Sequence, residues 1–144
     1  MRTHTVPGIR SSKVRAGSDP LVMVTAYDAP GGRQAHAAGV DMILVGDSLA
    51  MTVLGYDDTL QVTTEDIAHH TAAVHRGLRS STAEGPLPLL VADRPWMSFH
   101  TGTTDAVRNA ATLVRAGAQA VKLEGGGKRL PVVEAIVEAE IPVM

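Results

Sequence analysis

The sequence predicts an α/β fold with parallel strands, because short apolar runs alternate with segments of helical periodicity. Most of the runs are continuous rather than alternating, which is typical of strands buried on both faces. The order strand, helix, strand, helix implies right-handed crossovers between parallel strands. A doubly wound sheet and a (β/α)8 barrel both fit, although a barrel usually needs about 250 residues and this chain has 144. The apolar runs are Leu21–Val24, Met42–Val45, Leu89–Val91, Val121–Leu123 and Ile141–Met144.

The clearest helical pattern runs from Thr104 to Arg115. Thr103 or Thr104 can cap its start, and Gly117 can end it in the left-handed conformation. One apolar stripe at helical spacing predicts the face turned to the sheet. That stripe consists of Val107, Ala110, Ala111 and Val114.

Two further helices are predicted with local signals at their ends. Thr63 and Asp66 have the spacing of a capping box, and Gly77 is the expected stop of the helix that follows. Another helix is expected over residues 130–140. Its inward positions are predicted to be Val133, Ile136 and Val137.

The helix before the second strand has mixed signals. Asp28 and Pro30 favour a helix start. Gly31 and Gly32 follow, and each costs about 1 kcal/mol relative to alanine inside a helix. We therefore expect this helix to begin late or to fray.

Composition excludes several classes of protein. Hydrophobic residues make up 44% and charged residues 19% of the chain, which is ordinary for a globular domain. The net charge of -2 and the single tryptophan, two tyrosines and one phenylalanine argue against a nucleic-acid partner. The chain has no cysteine, so disulfides, thiolate catalysis and cysteine-type zinc sites are excluded.

The lengths of the apolar runs and the composition of the N-terminus bear on location and domain organisation. No apolar run is long enough for a transmembrane helix, and residues 1–17 are polar and basic, unlike a secretory signal. We expect a cytoplasmic protein with no membrane partner. Residues 1–20 are interpreted as an N-terminal extension and residues 21–144 as the α/β unit.

An acidic residue follows or ends each of the first four apolar runs. In parallel α/β folds, ligands bind at the carboxyl ends of the strands, so these residues are candidates for a site. Lys122 and Glu124 are two residues apart and are predicted to share one face of their strand, with Leu123 on the other. The four acids are Asp28, Asp47, Asp93 and Glu124.

Three converging carboxylates would repel one another, and a divalent cation relieves that repulsion. Carboxylate oxygens suit Mg²⁺, and Lys122 beside them would bind an anionic group. The competing interpretation is local: Asp28 is assigned mainly to helix capping, and an ion pair with Arg94 is the rival role for Asp93. No helix is predicted directly after Asp47, because residues 48–60 are interpreted as a loop.

The histidines and the glycine run give weaker signals. His69, His70 and His75 are interpreted as surface or packing residues on the helix after Thr63. His100 follows the third strand, where a role in the site has no independent support. The three glycines at 125–127 lack the phosphate-binding fingerprints and are interpreted as a flexible turn that lets backbone approach a ligand.

Several of these stretches resemble the ketopantoate hydroxymethyltransferase family, in unbroken order from about Leu21 to Met144. The most specific are Val-Gly-Asp-Ser at 45–48 and Lys-Leu-Glu-Gly-Gly at 122–126. Others are Val-Thr-Ala-Tyr-Asp at 24–28, Met-Thr-Val-Leu-Gly at 51–55, residues 59–74, Ala-Asp at 92–93, Asn-Ala-Ala at 109–111 and Arg-Ala-Gly-Ala at 115–118.

The resemblance implies a (β/α)8 barrel, of which this chain covers about the first four βα units and the fifth strand. It also implies Mg²⁺ and transfer of a one-carbon unit from methylenetetrahydrofolate to 3-methyl-2-oxobutanoate. By position, Asp47, Asp93 and Glu124 match the metal-site acids of the family. The keto-acid contacts match Asp47, Ser48, Asp93 and Lys122. The family forms decamers, so a homo-oligomer is expected.

The chain also departs from the family pattern. The family's general-base glutamate and a Gly-His-Leu-Gly-Leu stretch would lie beyond Met144, so we expect little or no transferase activity from this chain alone. Arg94 and Trp96 stand where relatives carry apolar residues, and residues 79–86 form a longer, more polar loop. Three alternatives stay open: a split enzyme completed by a C-terminal half, a non-catalytic Mg²⁺-dependent keto-acid binder, and a C–C lyase of the phosphoenolpyruvate or isocitrate type.

Overall fold

The computed structural model describes residues 4–12 and 19–144. Its sheet has four parallel strands in the order in which they occur in the chain. A doubly wound sheet would reverse its strand order at a switch point, whereas here each strand pairs with the next one. The arrangement is therefore the one found in a (β/α)8 barrel, seen over part of its circumference. The strands are β1 (Met23–Thr25), β2 (Met42–Val45), β3 (Leu89–Asp93) and β4 (Ala120–Lys122).

The predicted fifth strand is present only as an isolated bridge. Val143 pairs in parallel with Val121, and the Met144 amide donates to the Val121 carbonyl oxygen at 2.9 Å. The end of the chain thus continues the sheet in the predicted place, next to β4.

Six α-helices are found in the described residues. The predicted helices are all present, although their ends differ in places from the sequence signals. The helices are α1 (Val6–Ser11), α2 (Ala29–Ala37), α3 (Leu49–Thr52), α4 (Thr64–Arg79), α5 (Thr103–Arg115) and α6 (Leu130–Glu138). None of the helices in these residues is long and apolar enough to span a membrane.

The sheet has an outer face covered by helices and an inner face with a separate apolar cluster. Successive side chains of a strand point to opposite faces, so the two sets alternate along β2, β3 and β4. The outer set packs with α4, α5 and α6 and includes Ile43, Val45, Leu90, Ala92 and Val121. The inner set is Met42, Leu89, Val91 and Ala120, with Val6 and Ile9 of α1 packed against it.

Helix α2 does not begin late, contrary to the prediction. It starts at Ala29, where the Asp28 carboxylate accepts a hydrogen bond from the Gly31 amide at 2.7 Å. Gly32 faces α4 so closely that a Cβ there would lie 2.9 Å from the Val74 carbonyl oxygen. The glycine therefore allows the two helices to approach, which offsets its low helix propensity.

Helix α4 has the predicted capping box but not the predicted stop. Both reciprocal hydrogen bonds between Thr63 and Asp66 are present. The helix continues through Gly77 to Arg79, and a Cβ at Gly77 would overlap the backbone of Ala29. This glycine again marks a close helix contact rather than a helix end.

The faces predicted for α5 and α6 are partly wrong. In α5 the buried residues are Ala106, Ala110 and Leu113, and Val114 is exposed. In α6 Val132 and Ile136 are buried, whereas Val137 is 53% exposed. Each helix carries two overlapping apolar stripes, and the sheet selects the one that it contacts.

The end of α5 is as predicted, but its start is not. Gly102 occupies the N-cap position and no side chain caps the helix, so the caps expected from Thr103 or Thr104 are absent. Gly117 follows the last turn with a φ of 113°, as expected for a glycine that ends a helix.

Candidate active site

Lys122 lies at the centre of an acid–lysine cluster at the carboxyl ends of β2, β3 and β4. We define this cluster as Asp47, Asp93, Lys122 and Glu124. The Lys122 ammonium donates to both carboxylate oxygens of Asp93 at 3.1 Å and to Glu124 Oε1 at 2.5 Å. Leu123 packs on the opposite side, against the outer core. The predicted shared face of Lys122 and Glu124 is confirmed.

Asp93 is the most buried member of the cluster, at 3% exposed. Its rival role as an ion-pair partner of Arg94 is wrong: the Arg94 guanidinium turns away and donates to the carbonyl oxygens of Ser98 at 2.7 Å and Ala106 at 3.0 Å. The Asp93 carboxylate instead accepts the Arg94 amide at 3.0 Å and the Asp47 amide at 3.3 Å. The same two carboxylate oxygens also accept from Lys122, so the backbone bonds fix the orientation in which Asp93 meets the ammonium.

Asp47 is half-buried beside Asp93. Burial raises the pKa of its carboxyl, and repulsion by Asp93 adds to the effect, while Lys122 opposes it. The loop expected after Asp47 is interrupted by the one-turn helix α3, which begins at Leu49 and has no side-chain cap. Asp47 is therefore not needed as a cap, in contrast to Asp28, whose capping role is confirmed.

Lys122 keeps its charge despite being partly buried. Burial alone would lower the pKa of this ammonium, but the hydrogen bond to Glu124 and the charge of Asp93 outweigh it and raise the pKa above its ordinary value. Ser48 lies next to the cluster and is fixed by a 2.9 Å hydrogen bond between its hydroxyl and that of Tyr27.

The donor set of the cluster fits a hard divalent cation. Three carboxylates lie near one ammonium, so negative charge is in excess; burial is the main reason that the pKa of Asp47 is raised, and the neighbouring carboxylates Asp93 and Glu124 add to it. In residues 4–12 and 19–144, no three acids or histidines are grouped closely enough to enclose a metal ion as they stand. The carboxylate of Glu124 is 75% exposed, so this side chain can exchange its contact with Lys122 for one with a cation.

The three histidines on α4 are surface or packing residues, as predicted. His70 Nδ1 lies 2.6 Å from the Tyr27 carbonyl oxygen and ties α4 to the end of β1. His75 packs against Gly117, and burial lowers its pKa. His69 is exposed and meets the ring of His70 edge to face. None of these rings lies in the acid–lysine cluster.

A cavity of about 250 Å³ opens beside the cluster, and we call it the strand-end cavity. Its walls come from the loop after β2, the loop after β3 and the end of β4. Sequence reasoning placed His100 near this region but missed Arg94 and Trp96 as lining residues. The available signal was the Arg-Pro-Trp sequence directly after a strand-end acid. The residues lining the cavity are Asp47, Thr59, Leu60, Arg94, Trp96, Phe99, His100 and Glu124.

The turn after β4 is where the glycine run predicted it. Gly125 has a φ of 144°, and residues Gly127–Arg129 form a 3₁₀ turn that leads into α6. A Cβ at Gly125 would lie 2.7 Å from Cγ of Arg129, so the glycine allows the Arg129 side chain to fold back over the turn.

The fold and the cluster define a class of protein: a barrel-type α/β enzyme with an acidic, lysine-containing site at its strand ends. A sequence model of the family Ketopantoate hydroxymethyltransferase matches residues 4–144. The chain therefore belongs to this family, as its strand-end motifs predicted.

Relatives named 3-methyl-2-oxobutanoate hydroxymethyltransferase support the assignment. The protein from Pyrobaculum arsenaticum is 55% identical over 128 residues, 89% of this chain and 46% of the relative. The protein from Geobacillus sp. is 48% identical over 133 residues, 92% of this chain and 45% of the relative. The chain thus spans somewhat less than half the length of these curated relatives.

Solved structures with the same fold are more distant in sequence. A 2,3-dimethylmalate lyase of the PEP mutase/isocitrate lyase superfamily aligns with a TM-score of 0.66 at 20% identity, over 99% of this chain and 51% of that one. A phosphonopyruvate hydrolase in complex with oxalate and Mg²⁺ aligns with a TM-score of 0.62 at 12% identity, over 81% of this chain and 42% of that one. At such identities the likeness shows a shared fold and gives no support to the lyase alternative.

Proposed function

We propose that this chain carries the Mg²⁺ and keto-acid half of a hydroxymethyltransferase site in pantothenate biosynthesis. The reaction transfers a one-carbon unit from methylenetetrahydrofolate to 3-methyl-2-oxobutanoate and yields 2-dehydropantoate. The acid–lysine cluster is the observation that carries the proposal, because it places an ammonium and excess carboxylates together where the strands end. Family membership supplies the substrate class.

Each member of the cluster has a proposed role. Asp47, Asp93 and Glu124 would hold Mg²⁺, whose chemistry is to polarise the keto oxygen and make the neighbouring C–H more acidic. Asp47, Ser48, Asp93 and Lys122 would contact the keto acid.

Lys122 would act on the negative charge of the substrate. The carboxylate of the keto acid and the oxygen that becomes anionic on deprotonation both gain from a nearby ammonium. The Ser48 hydroxyl, which forms a hydrogen bond with Tyr27, would hydrogen-bond a substrate oxygen. Lys122 would therefore bind the substrate carboxylate and stabilise the anionic oxygen. The substrate proton would be removed by a base outside the cluster.

The net reaction balances with one water. The substrate carbon next to the carbonyl loses a proton and forms a C–C bond to the methylene carbon of the folate. The bonds from that carbon to the folate nitrogens break, and the nitrogens take up the released protons. Water supplies the hydroxyl oxygen of the new hydroxymethyl group. No redox change occurs in this step.

The remaining partner assignments stay predictions. One is assembly into a homo-oligomer, which is a decamer in the family; the alternative is association with a complementary C-terminal half. A cytoplasmic location is also predicted. Weak or absent turnover by the 144-residue chain is likewise a prediction, and robust turnover by the pure chain would contradict it.

Calorimetry with 3-methyl-2-oxobutanoate tests the proposal. We expect binding that requires Mg²⁺ and that Asp93→Asn weakens at least tenfold, which is about 1.4 kcal/mol. Asp105→Asn is the matched control, because Asp105 lies on α5 and pairs with Arg108. Binding of equal strength without Mg²⁺, or equal losses in both variants, would refute the proposed site.

A further inference from the structure

A second cavity lies at the other end of the strands, and the proposed reaction does not use it. It has a volume of about 210 Å³ and lies between the C-terminal half of α4 and the amino ends of β3 and β4. We call it the amino-end cavity. It shares no lining residue with the strand-end cavity. Its walls include three leucines, Leu78, Leu87 and Leu90, and three polar residues, His75, Arg79 and Gln119.

The leucines give the cavity an apolar wall that belongs to the core. Leu78 and Leu90 are buried, and Leu87 packs against the same outer cluster. A ligand that covers such a wall with hydrocarbon gains free energy because it removes apolar surface from water. This wall therefore favours a ligand with an aliphatic part.

Gln119 is held beside the apolar wall by two hydrogen bonds to Leu90. Its backbone amide donates to the Leu90 carbonyl oxygen at 2.8 Å, and its side-chain oxygen accepts from the Leu90 amide at 3.1 Å. Within residues 4–12 and 19–144, the side-chain NH₂ group of Gln119 forms no hydrogen bond. The fixed side chain thus retains a donor for an oxygen atom of a ligand.

Positive charge collects beside the cavity on the last two turns of α4. Arg79 lines the cavity, and Arg76 precedes it by three residues. In the part of the chain that the structure describes, neither guanidinium forms an ion pair with a carboxylate. Both arginines also interact favourably with the helix dipole, but that interaction requires neither a cavity nor an apolar wall. The uncompensated charge favours an anionic group on the ligand.

We propose that the amino-end cavity binds a small aliphatic carboxylate, with its hydrocarbon part against Leu78 and Leu90 and its carboxylate on Arg79. A guanidinium binds a carboxylate through two parallel hydrogen bonds, and the Gln119 NH₂ group would add a third. The cavity is smaller than the roughly 300–1,000 Å³ that holds a drug-sized ligand, so it suits a ligand of a few carbon atoms. No member of the acid–lysine cluster lines it, so the inference is independent of the proposed function.

Titration of the protein with 3-methylbutanoate, followed by its amide NMR resonances, tests the site. A chelator is present throughout, so that Mg²⁺-dependent binding at the acid–lysine cluster does not contribute. We expect saturable binding at millimolar concentrations, with the largest shifts at residues 75–79 and 117–119. The uncharged 3-methylbutanamide should bind about tenfold more weakly. Acetate should also bind more weakly, because it leaves the apolar wall uncovered.

Substitutions of Arg79 test its role. Arg79→Gln should weaken binding of 3-methylbutanoate about tenfold. Arg79→Lys should retain part of the affinity, since it keeps the charge but loses the forked donor geometry. Arg115→Gln is the matched control, because Arg115 ends α5 as Arg79 ends α4 but does not line the cavity. Circular dichroism of each variant shows whether the fold is retained.

Several outcomes would overturn the site. They are the absence of saturable binding, equal affinity for the carboxylate and the amide, and equal losses in Arg79→Gln and Arg115→Gln. Binding that Asp93→Asn abolishes but Arg79→Gln leaves unchanged would place the carboxylate at the strand ends and would also overturn it. Because the chelator removes Mg²⁺, failure of this site leaves the Mg²⁺-dependent keto-acid site standing.

Discussion

The inner face of the sheet is apolar at one end and charged at the other, although both ends belong to the same strands. On β3, Leu89 and Val91 lie on this face near the strand start, and Asp93 lies on it at the strand end. On β4, Ala120 precedes Lys122 in the same way. The apolar end is covered by α1, whereas the charged end borders the strand-end cavity. One end of the face is part of the packed core, and the other carries the residues that we propose bind Mg²⁺ and the keto acid.

The largest expected effect comes from the apolar end. Leu89→Ala removes a side chain that is 2% exposed, and such substitutions cost about 2–5 kcal/mol. Thermal and urea unfolding should show this loss, with Mg²⁺ affinity unchanged in the protein that remains folded. Leu130→Ala, at a position 59% exposed, should cost less than about 0.5 kcal/mol. Similar losses in both variants would mean that the apolar end is not a core.

Removing the positive charge at the other end should destabilise the protein and increase its response to Mg²⁺. Lys122→Met leaves Asp93 buried without its ammonium partner, and breaking a buried pair costs about 3 kcal/mol. Millimolar Mg²⁺ should restore part of the loss, since a cation that binds only the folded state stabilises it. Lys122→Arg is the charge-preserving control. An unfolding temperature of Lys122→Met that equals the unsubstituted value and ignores Mg²⁺ would argue against an electrostatic cluster.

Asp66 caps helix α4 away from the inner face of the sheet, so it shows how a carboxylate with a purely structural role responds to pH. The backbone and side-chain hydrogen bonds from Thr63 hold the pKa of Asp66 below its ordinary value of 3.8. Its stabilising effect is therefore fully present above pH 3.8 and lost as the pH falls through the lowered pKa. Asp66→Asn should cost about 1 kcal/mol at neutral pH and flatten the acid limb of the stability curve. Glu65→Gln in the same turn should leave that limb unchanged.

The smallest effect, of opposite sign, is expected at Asp47. Burial and the neighbouring carboxylates raise the pKa of this group, so its ionisation disfavours the folded state as the pH rises above the ordinary value. In the presence of a chelator at neutral pH, Asp47→Asn should stabilise the protein, by less than about 1 kcal/mol because water screens the site. With Mg²⁺ present, the unsubstituted protein should regain the advantage. Destabilisation by Asp47→Asn in the chelator would contradict the repulsion within the cluster.

Local signals in the sequence predicted most of the elements. The continuous apolar runs located β2 and β3, and the Thr63–Asp66 spacing located the start of α4, because both signals depend on residues close together in the chain. The errors arose where contacts between residues far apart in the chain overrode local helix propensity. Gly32 and Gly77 were treated as helix-weakening or helix-ending residues, yet each lies against a neighbouring helix backbone. Propensity alone cannot report such an approach.

The same division applies to the candidate site. Strand-end position and two-residue spacing placed Lys122 and Glu124 on one face, and the structure confirms this. The rival interpretation, an ion pair between Asp93 and Arg94, is wrong, since the Arg94 guanidinium reaches carbonyl oxygens four and twelve residues ahead instead of the adjacent carboxylate. Trp96 was noted only as a departure from the family. Its place in the cavity wall depends on how the loop folds back over the strand ends.

The sequence by itself determined the order of strands and helices, the caps of α2 and α4, and the acids that follow the strands. These features depend on residue periodicity and on hydrogen bonds between residues about three apart, so a short stretch of sequence is enough to predict them. Only the tertiary structure decided that consecutive strands pair, which stripe of α5 and α6 meets the sheet, and that Lys122 joins Asp93 across 29 residues. The physical reason is that burial and charge pairing act between surfaces that become neighbours only when the chain folds.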